Sequence, residues 1–323
     1  MQEAGYQVVL LAGDRRASHP VAGGNKAFVE VSGAPMIVHV LDALVNTPEL
    51  SDVFVVGDVQ RLERVLTSHG SIERAAARGR AVHIIPQRDT LYDNIWYAFL
   101  RALPRARHAA RPDHTILVAP ADIPLVIPEE ISEFIHRARE LDADYVLGLS
   151  PEAALLPFAP RADAPGIDMA CFNLAEGRFR QNNLHLVRPL RVENRHYIEE
   201  MYEARYQKQV GPILALVWKV LRLEFRHLWV LFPYLVLHLA GVLDRHGHRR
   251  SADLVRRFVS LPTVHRAASA LLRTRFATVT TELGGAALDV DNDDDLAAAD
   301  KMLLVWKEGQ TRAARAAMLS AGE

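Results

Sequence analysis

From residue 7 to about residue 150 the chain alternates short apolar runs with longer stretches of helical spacing. Tyr6-Gln7-Val8-Val9-Leu10-Leu11-Ala12-Gly13 opens the pattern. A short, near-continuous apolar run ended by glycine reads as a parallel strand buried on both faces. Similar runs follow at Asp52–Gly57, Ala81–Pro86, Thr115–Ala119 and Tyr145–Leu149. Between them, Met36, Ile37, Val40, Leu41 and Leu44 fall on one helical face, and Arg61 to Leu66 begins a polar helix. Asp93 to Leu103 reads as a helix capped by Asp93, and Pro128 opens another that runs through Arg139. Strands alternating with helices in this way predict an α/β fold on a mostly parallel sheet flanked by helices.

The pattern then changes twice. Prolines at 151, 157, 160 and 165 predict loops, with short extended segments at Ala170–Leu174 and Asn183–Val187. From residue 195 to 275 no strand pattern is visible and the chain reads as helices, including an apolar stretch from Gly211 to Leu243. The uncharged part of that stretch, Leu228 to Leu243, is shorter than the ~20 residues a spanning helix needs. Strand-like runs return at Phe276–Thr281 and Ala287–Asn292, followed by a helix from Asp293 to Leu304. The expected organisation is a core of residues 1–193 plus 276–308, a large α-helical insertion at 194–275, and a helical tail at 309–323.

Composition narrows the function classes. Half of the 323 residues are apolar, enough for one large domain or two. A formal charge of -1 gives no sign of a nucleic-acid-binding surface. The single Cys171 excludes an intramolecular disulfide framework and a cysteine-rich zinc site. The first residues enter a strand directly, with no basic and apolar leader pattern, so the expected location is cytoplasmic. Trp218, Trp229 and Tyr234, with Lys219, Arg222 and Arg226, give the 211–243 stretch two readings. It is a lid or homo-oligomer surface buried in protein, or a peripheral membrane contact.

The loop after the first strand holds Gly13, Arg15, Arg16, Gly23, Gly24 and Lys26. Glycines let backbone bend around a ligand, and arginine and lysine supply positive charge, at the sheet edge where α/β folds bind polyanions. The loop has neither G-x-G-x-x-G nor G-x-x-x-x-G-K-[ST]. Leu11-Ala12-Gly13-Asp14-Arg15, then Asn25-Lys26-Ala27-Phe28, then Gly33-Ala34-Pro35-Met36-Ile37 resembles the signature of MobA-like NTP transferases. These are nucleotidyltransferases with a Rossmann-like core of GT-A type. The resemblance implies that Leu11, Ala12 and Gly13 line the NTP, while Arg15 and Lys26 hold its phosphates. Asp14 departs from the family's glycine, and its carboxylate would face a phosphate: either it points away or the site is altered.

Two acidic segments complete the resemblance. A carboxylate just past a parallel strand can hold Mg²⁺ that bridges phosphate oxygens. Asp122 in Pro120-Ala121-Asp122-Ile123-Pro124 fits that position and the family's metal-carrying segment. Asp289-Val290-Asp291-Asn292-Asp293 is similar to a second family segment, which places Asp291 on the same metal, Mg²⁺ or Mn²⁺, with Asp289 nearby. Asp293 to Asp295 are also explained as acids at a helix N-terminus. The resemblance places base and sugar contacts at Thr90, Asp93 and Asn94. Arg180, Asn183 and His185, past the fifth strand, are candidates for the acceptor, with a structural turn as the plain alternative. His246 and His248 make a weak metal tract.

Together these readings predict transfer of an NMP from an NTP to a phosphorylated small molecule or lipid precursor, with release of pyrophosphate. Lys26, Arg15 and Asp122 are the expected catalytic residues. The competing readings are a glycosyltransferase using an NDP-sugar, which Pro120 in place of the first Asp of a D-x-D disfavours, and a non-catalytic nucleotide-binding scaffold.

Overall fold

The computed structural model describes residues 5–13, 21, 23–103, 111–195, 197–198, 236, 243 and 247–321. In chain order, the main sheet begins with β1 (Tyr6–Leu11). A two-stranded ribbon follows, β2 (Glu30–Val31) and β3 (Ala34–Pro35), leading into α1 (Met36–Asn46). Next come β4 (Leu50–Gly57), α2 (Val59–Ser68), α3 (Ser71–Ala76), β5 (Val82–Pro86) and α4 (Leu91–Ala102). The order continues with β6 (Ile116–Pro120), α5 (Pro128–Arg139), β7 (Tyr145–Pro151) and α6 (Glu152–Leu155). Then β8 (Phe172–Leu174) and β9 (Gly177–Val187) precede α7 (Arg249–Arg256), α8 (Leu261–Leu272), β10 (Phe276–Thr280) and α9 (Asp293–Ala321).

The sheet order is β10-β7-β9-β6-β1-β4-β5, with β8 added alongside β9. Strand β1 runs parallel to both β4 and β6, β4 is parallel to β5, and β10 is parallel to β7. The direction breaks at β9, which is antiparallel to β6, β7 and β8. The fold is therefore the predicted α/β architecture with a mostly parallel mixed sheet.

The continuous apolar character of β1 has its cause in two cores. Val8 and Leu10 pack on one face with Ile37, Leu41, Leu62 and Phe134, while Val9 packs on the other with Ala98 and Phe99. Each such fully buried side chain contributes on the order of 1.5–3 kcal/mol. A third cluster joins α9, through Ala299, Leu303 and Trp306, to Met36, Phe158, Leu288 and Val290. The Phe158 and Trp306 rings meet edge to face at 5.5 Å.

Several local expectations change. The helix expected to start at Asp93 begins at Leu91, and its cap is Thr90, whose hydroxyl accepts from the Asp93 N–H at 3.0 Å. The two extended segments expected within 170–187 become β8 and a single long β9. Ala287–Asn292 is not a strand: a 3-10 turn covers Gly285–Ala287, and the residues after it stay outside the sheet. The final helix runs unbroken to Ala321 instead of ending near Leu304. Of the 211–243 stretch, only Val236 and Leu243 are among the described residues, so Trp218, Trp229, Tyr234 and the basic residues between them lie outside. Among the described residues no helix is long and apolar enough to cross a membrane.

Candidate active site

The chain leaves β1 toward β4 and β5 on one side, then returns to β6 on the other side of β1. The crevice at the carboxyl ends of β1 and β6 is thus the topological switch point, where open α/β sheets place ligands. Backbone hydrogen bonds close its floor: Ala121 N–H to Leu11 O at 2.9 Å, and Ala12 N–H to Val56 O at 2.8 Å.

Lys26 enters this crevice from a short 3-10 turn, Lys26–Phe28. Asn25 positions that turn. Its Oδ1 accepts from the Ala27 N–H at 3.0 Å, and its Nδ2 donates to Ala12 O at 3.2 Å, tying the turn to the end of β1. Asn25 was not singled out from sequence, although asparagine before a helical turn is a familiar cap. Lys26 is buried, and its Nζ lies 2.5 Å from Asp291 Oδ1 and 3.9 Å from Asp122 Oδ2.

Asp122 follows β6 after one residue. Its side chain keeps 24% exposure, but Oδ1 is sealed from solvent and has no hydrogen-bond partner. Burial, reinforced by the negative charges of Asp289 and Asp291 and opposed by Lys26, pushes its carboxyl up to about 7. The Asp122 carbonyl accepts from the Val290 N–H at 3.0 Å, which is how a segment far along the chain comes to face it. Asn292 and Asp295 fix the backbone there. Asn292 Oδ1 accepts from the Asp295 N–H at 2.8 Å, and Asp295 Oδ2 accepts from the Asp291 N–H at 3.2 Å. This reciprocal cap gives Asp295 a role distinct from that of a helix-dipole acid.

The segment carrying Asp289 and Asp291 is held by side chains from elsewhere. Glu130 Oε2 accepts from the Ala286 N–H at 2.9 Å, and Gln310 Oε1 accepts from the Gly285 N–H at 3.0 Å. Asn183 Nδ2 donates to Ala286 O at 3.2 Å, and Arg180 Nε donates to Ala287 O at 2.8 Å. Arg180 also pairs with Asp289 Oδ1 at 2.6 Å. Sequence reading missed Glu130 and Gln310. The only trace is that Glu130 precedes Phe134 by one helical turn and so shares its inward face.

Glu130 is fully enclosed, and its Oε1 has no partner. Burial is the main force pushing its carboxyl up to about 8; nearby Glu133 adds to this, and the Ala286 and Gly285 N–H groups oppose it. The folded state therefore keeps a proton that the unfolded chain releases near 4.5. Stability assigned to this group is complete below about 4.5 and is lost as pH rises to about 8, by up to ~1.4 kcal/mol per pH unit. Glu130→Gln cannot ionise, so its stability relative to wild type is expected to climb between about pH 5 and pH 8. Urea midpoints across that range check this; a constant difference would rule it out.

The nucleotide candidates divide. A Cβ on Gly13 would meet Gln87 Oε1 at 2.8 Å and Asn94 Nδ2 at 3.8 Å, so the loops after β1 and β5 meet at this edge, with Leu11, Ala12, Gly13 and Asn94 together. Asn94 Oδ1 accepts from the Arg88 N–H, and Thr90 caps its helix while Asp93 is exposed. Gln87 joins the candidates only in the structure. Arg15 and its neighbour Asp14 lie outside the described residues, as does His246.

The acceptor candidates separate along β9. Arg180 pairs in register with Ser150 near the site edge. Asn183 is buried at a positive φ of 60° where the β7–β9 register shifts, with its amide on Ala286 O. His185 lies further inside, opposite Val118 and Leu147, with Nδ1 2.9 Å from the Tyr145 hydroxyl.

A profile of the MobA-like NTP transferase domain matches residues 8–210, well over half of the chain. The chain belongs to this family. Its fold is similar to that of a hypothetical transferase from Thermus thermophilus, with a TM-score of 0.60 and 22% identity over 90% of this chain and 99% of that one. Two further solved structures are more distant. A 4-diphosphocytidyl-2C-methyl-D-erythritol synthase from Anaerococcus prevotii has a TM-score of 0.45 and 10% identity, covering 93% and 99% of the two chains. A CMP:2-keto-3-deoxy-manno-octonic acid synthetase complexed with CTP has a TM-score of 0.43 and 13% identity, covering 95% and 100%. No protein of curated function matches the chain. In this MobA-like NTP transferase the family's first motif and the Asp122 segment both fall within the matched residues.

Proposed function

We propose that the protein is a divalent-cation-dependent nucleotidyltransferase that moves an NMP from an NTP to a phosphorylated small molecule or lipid precursor. The observation that carries this reading is the meeting of Lys26, Asp122 and Asp291 at the switch point of the sheet. Family membership supports the transferase class. The return of β10 to the sheet supports a core formed from residues 1–193 plus 276–308.

The residues fit a Mg²⁺ or Mn²⁺ site of a particular kind. Among the described residues no group of three His, Cys, Asp or Glu side chains is arranged to hold a metal ion by itself. Mg²⁺ rarely asks for that: it keeps waters and binds through one or two carboxylates plus substrate phosphates. Asp122, with its sealed and unpartnered Oδ1, and Asp291 supply that pair. When bound, the ion supplies neutralisation of charge on the transferring phosphate.

The chemistry then asks little covalent help from the chain. An oxygen of the acceptor phosphate attacks the α-phosphorus, the bond from that phosphorus to the bridging oxygen breaks, and pyrophosphate leaves with the electron pair. An acceptor that is already an anion needs no general base. Lys26 stabilises negative charge on the triphosphate, and the loop Leu11–Gly13 lets its backbone approach the nucleotide. Holding the reactants in line and countering charge provides the acceleration. Of the acceptor-side candidates, Arg180 pairs with Asp289 beside the site, so an acceptor phosphate would have to share its guanidinium.

The test is pyrophosphate release with each of CTP, GTP, ATP and UTP plus Mg²⁺, against a pool of phosphorylated small molecules and phospholipid precursors. The expected result is release that requires one NTP and one acceptor together. Silence across the panel, with no Mg²⁺-dependent NTP binding, would favour a non-catalytic role.

A further inference from the structure

Among the described residues, Asp122, Asp289 and Asp291 meet Lys26 and Arg180 in the crevice. Arg180 neutralises Asp289 at 2.6 Å. Lys26 stands between the other two, 2.5 Å from Asp291 Oδ1 and 3.9 Å from Asp122 Oδ2. Lys26 is buried in this position, and its turn is anchored to β1 through Asn25. A divalent cation approaching Asp122 and the half-exposed Asp291 would meet a buried ammonium within a few ångströms. The same ammonium is the group that a triphosphate, carrying several negative charges, is best able to draw away.

We infer that Lys26 guards the Asp122–Asp291 pair against a free divalent cation, so that the metal enters only together with the nucleotide's triphosphate. The inference rests on the transferase reading above and deepens it by giving Lys26 a second duty in the free enzyme. Lys26 is then both the placeholder for the cation and, once displaced, a phosphate ligand. The physical reason is charge balance. Lys26 is the countercharge that the described chain supplies to Asp122 and Asp291, and the substrate's metal replaces it.

The experiment is Mn²⁺ binding, read from the electron paramagnetic resonance of the free aquo ion, for wild type, Lys26→Met and Lys26→Arg. Each is titrated with Mn²⁺ alone and then with inorganic tripolyphosphate present, correcting for Mn²⁺ held by the polyphosphate in solution. Wild type is expected to bind Mn²⁺ weakly alone and more tightly with tripolyphosphate. Lys26→Met is expected to bind Mn²⁺ alone about tenfold or more tighter than wild type, with Lys26→Arg unchanged. Adding Asp122→Asn to Lys26→Met should abolish the gain. Met-variant binding equal to or weaker than wild type, in protein shown to be folded by circular dichroism, overturns the inference. So does a gain that survives Asp122→Asn. If the Met variant does not fold, Lys26→Gln takes its place. Pyrophosphate release by wild type without any gain in the variant removes the lysine guard alone. Absence of Mn²⁺ binding in every protein, with tripolyphosphate and with each of the four NTPs, removes the metal-dependent transferase reading as well.

Discussion

Asp122→Asn is expected to lower kcat/KM for nucleotidyl transfer by about a thousandfold or more, equivalent to ~4 kcal/mol of transition-state stabilisation. The substitution keeps the size and shape of the side chain, removes the charge and turns one acceptor oxygen into an N–H donor. That charge is costly where it stands. Burial and the neighbouring Asp289 and Asp291 have pushed the carboxyl up to about 7, and Oδ1 has no donor in the folded chain. Groups held at such a disadvantage are characteristic of functional sites. The thermal midpoint of Asp122→Asn should therefore equal or exceed that of wild type, because Lys26 retains Asp291 at 2.5 Å. Activity with initial rates of pyrophosphate release, and stability by calorimetry, test the two halves together. Full activity would refute the assignment of Asp122, while loss of activity accompanied by a large fall in melting temperature would make it a structural residue instead.

The second large effect lies in the cradle behind the site. Gly285→Ala would place its Cβ 2.3 Å from Leu125 O and 2.6 Å from Gln310 Oε1. The carbonyl is backbone, and the Gln310 amide is held at both ends, by the Gly285 N–H and by Leu125 O at 2.9 Å. Neither can retreat without losing a buried hydrogen bond, so the methyl should cost about 3 kcal/mol or more through overpacking and lost pairing. Because Gly285 opens the segment that carries Asp289 and Asp291, the displacement should also weaken Mn²⁺ binding in the presence of tripolyphosphate. Gly309→Ala is the matched control. Gly309 lies in α9 with open space where the new methyl would stand, and alanine favours a helix interior by roughly 0.5–1 kcal/mol. Urea denaturation should move in opposite directions for the two variants. Similar midpoints for both would remove the close approach at Gly285 from the account.

Much of this protein was determined by its sequence. The sheet strands announce themselves because β1, β4, β5, β6 and β7 carry apolar runs that are local signals, and sheets covered on two faces demand such runs. The glycine closing β1, the lysine after the loop and the aspartate after β6 were legible for a related reason: each sits a short distance past a strand end, and strand ends in a parallel sheet share an edge. Asp291 was singled out through its likeness to a family segment, and it lies 2.5 Å from Lys26 although the strand drawn around it is not there. What sequence could not supply were contacts between distant positions. Glu130 meets Ala286 across 156 residues, and that bond is made to backbone, which leaves no mark in the side chains of the partner. The polar residues of β9 show the same limit from the other side. Arg180, Asn183 and His185 look alike as candidates for a ligand, yet the first is spent on Ala287 O and Asp289, the second on Ala286 O, and the third meets Tyr145 inside the sheet. A strand's pattern records that a polar side chain has a partner; only the tertiary structure decides whether that partner is the chain itself, because buried backbone groups left unpaired by a segment outside the sheet must be satisfied by whatever side chains the fold brings to them.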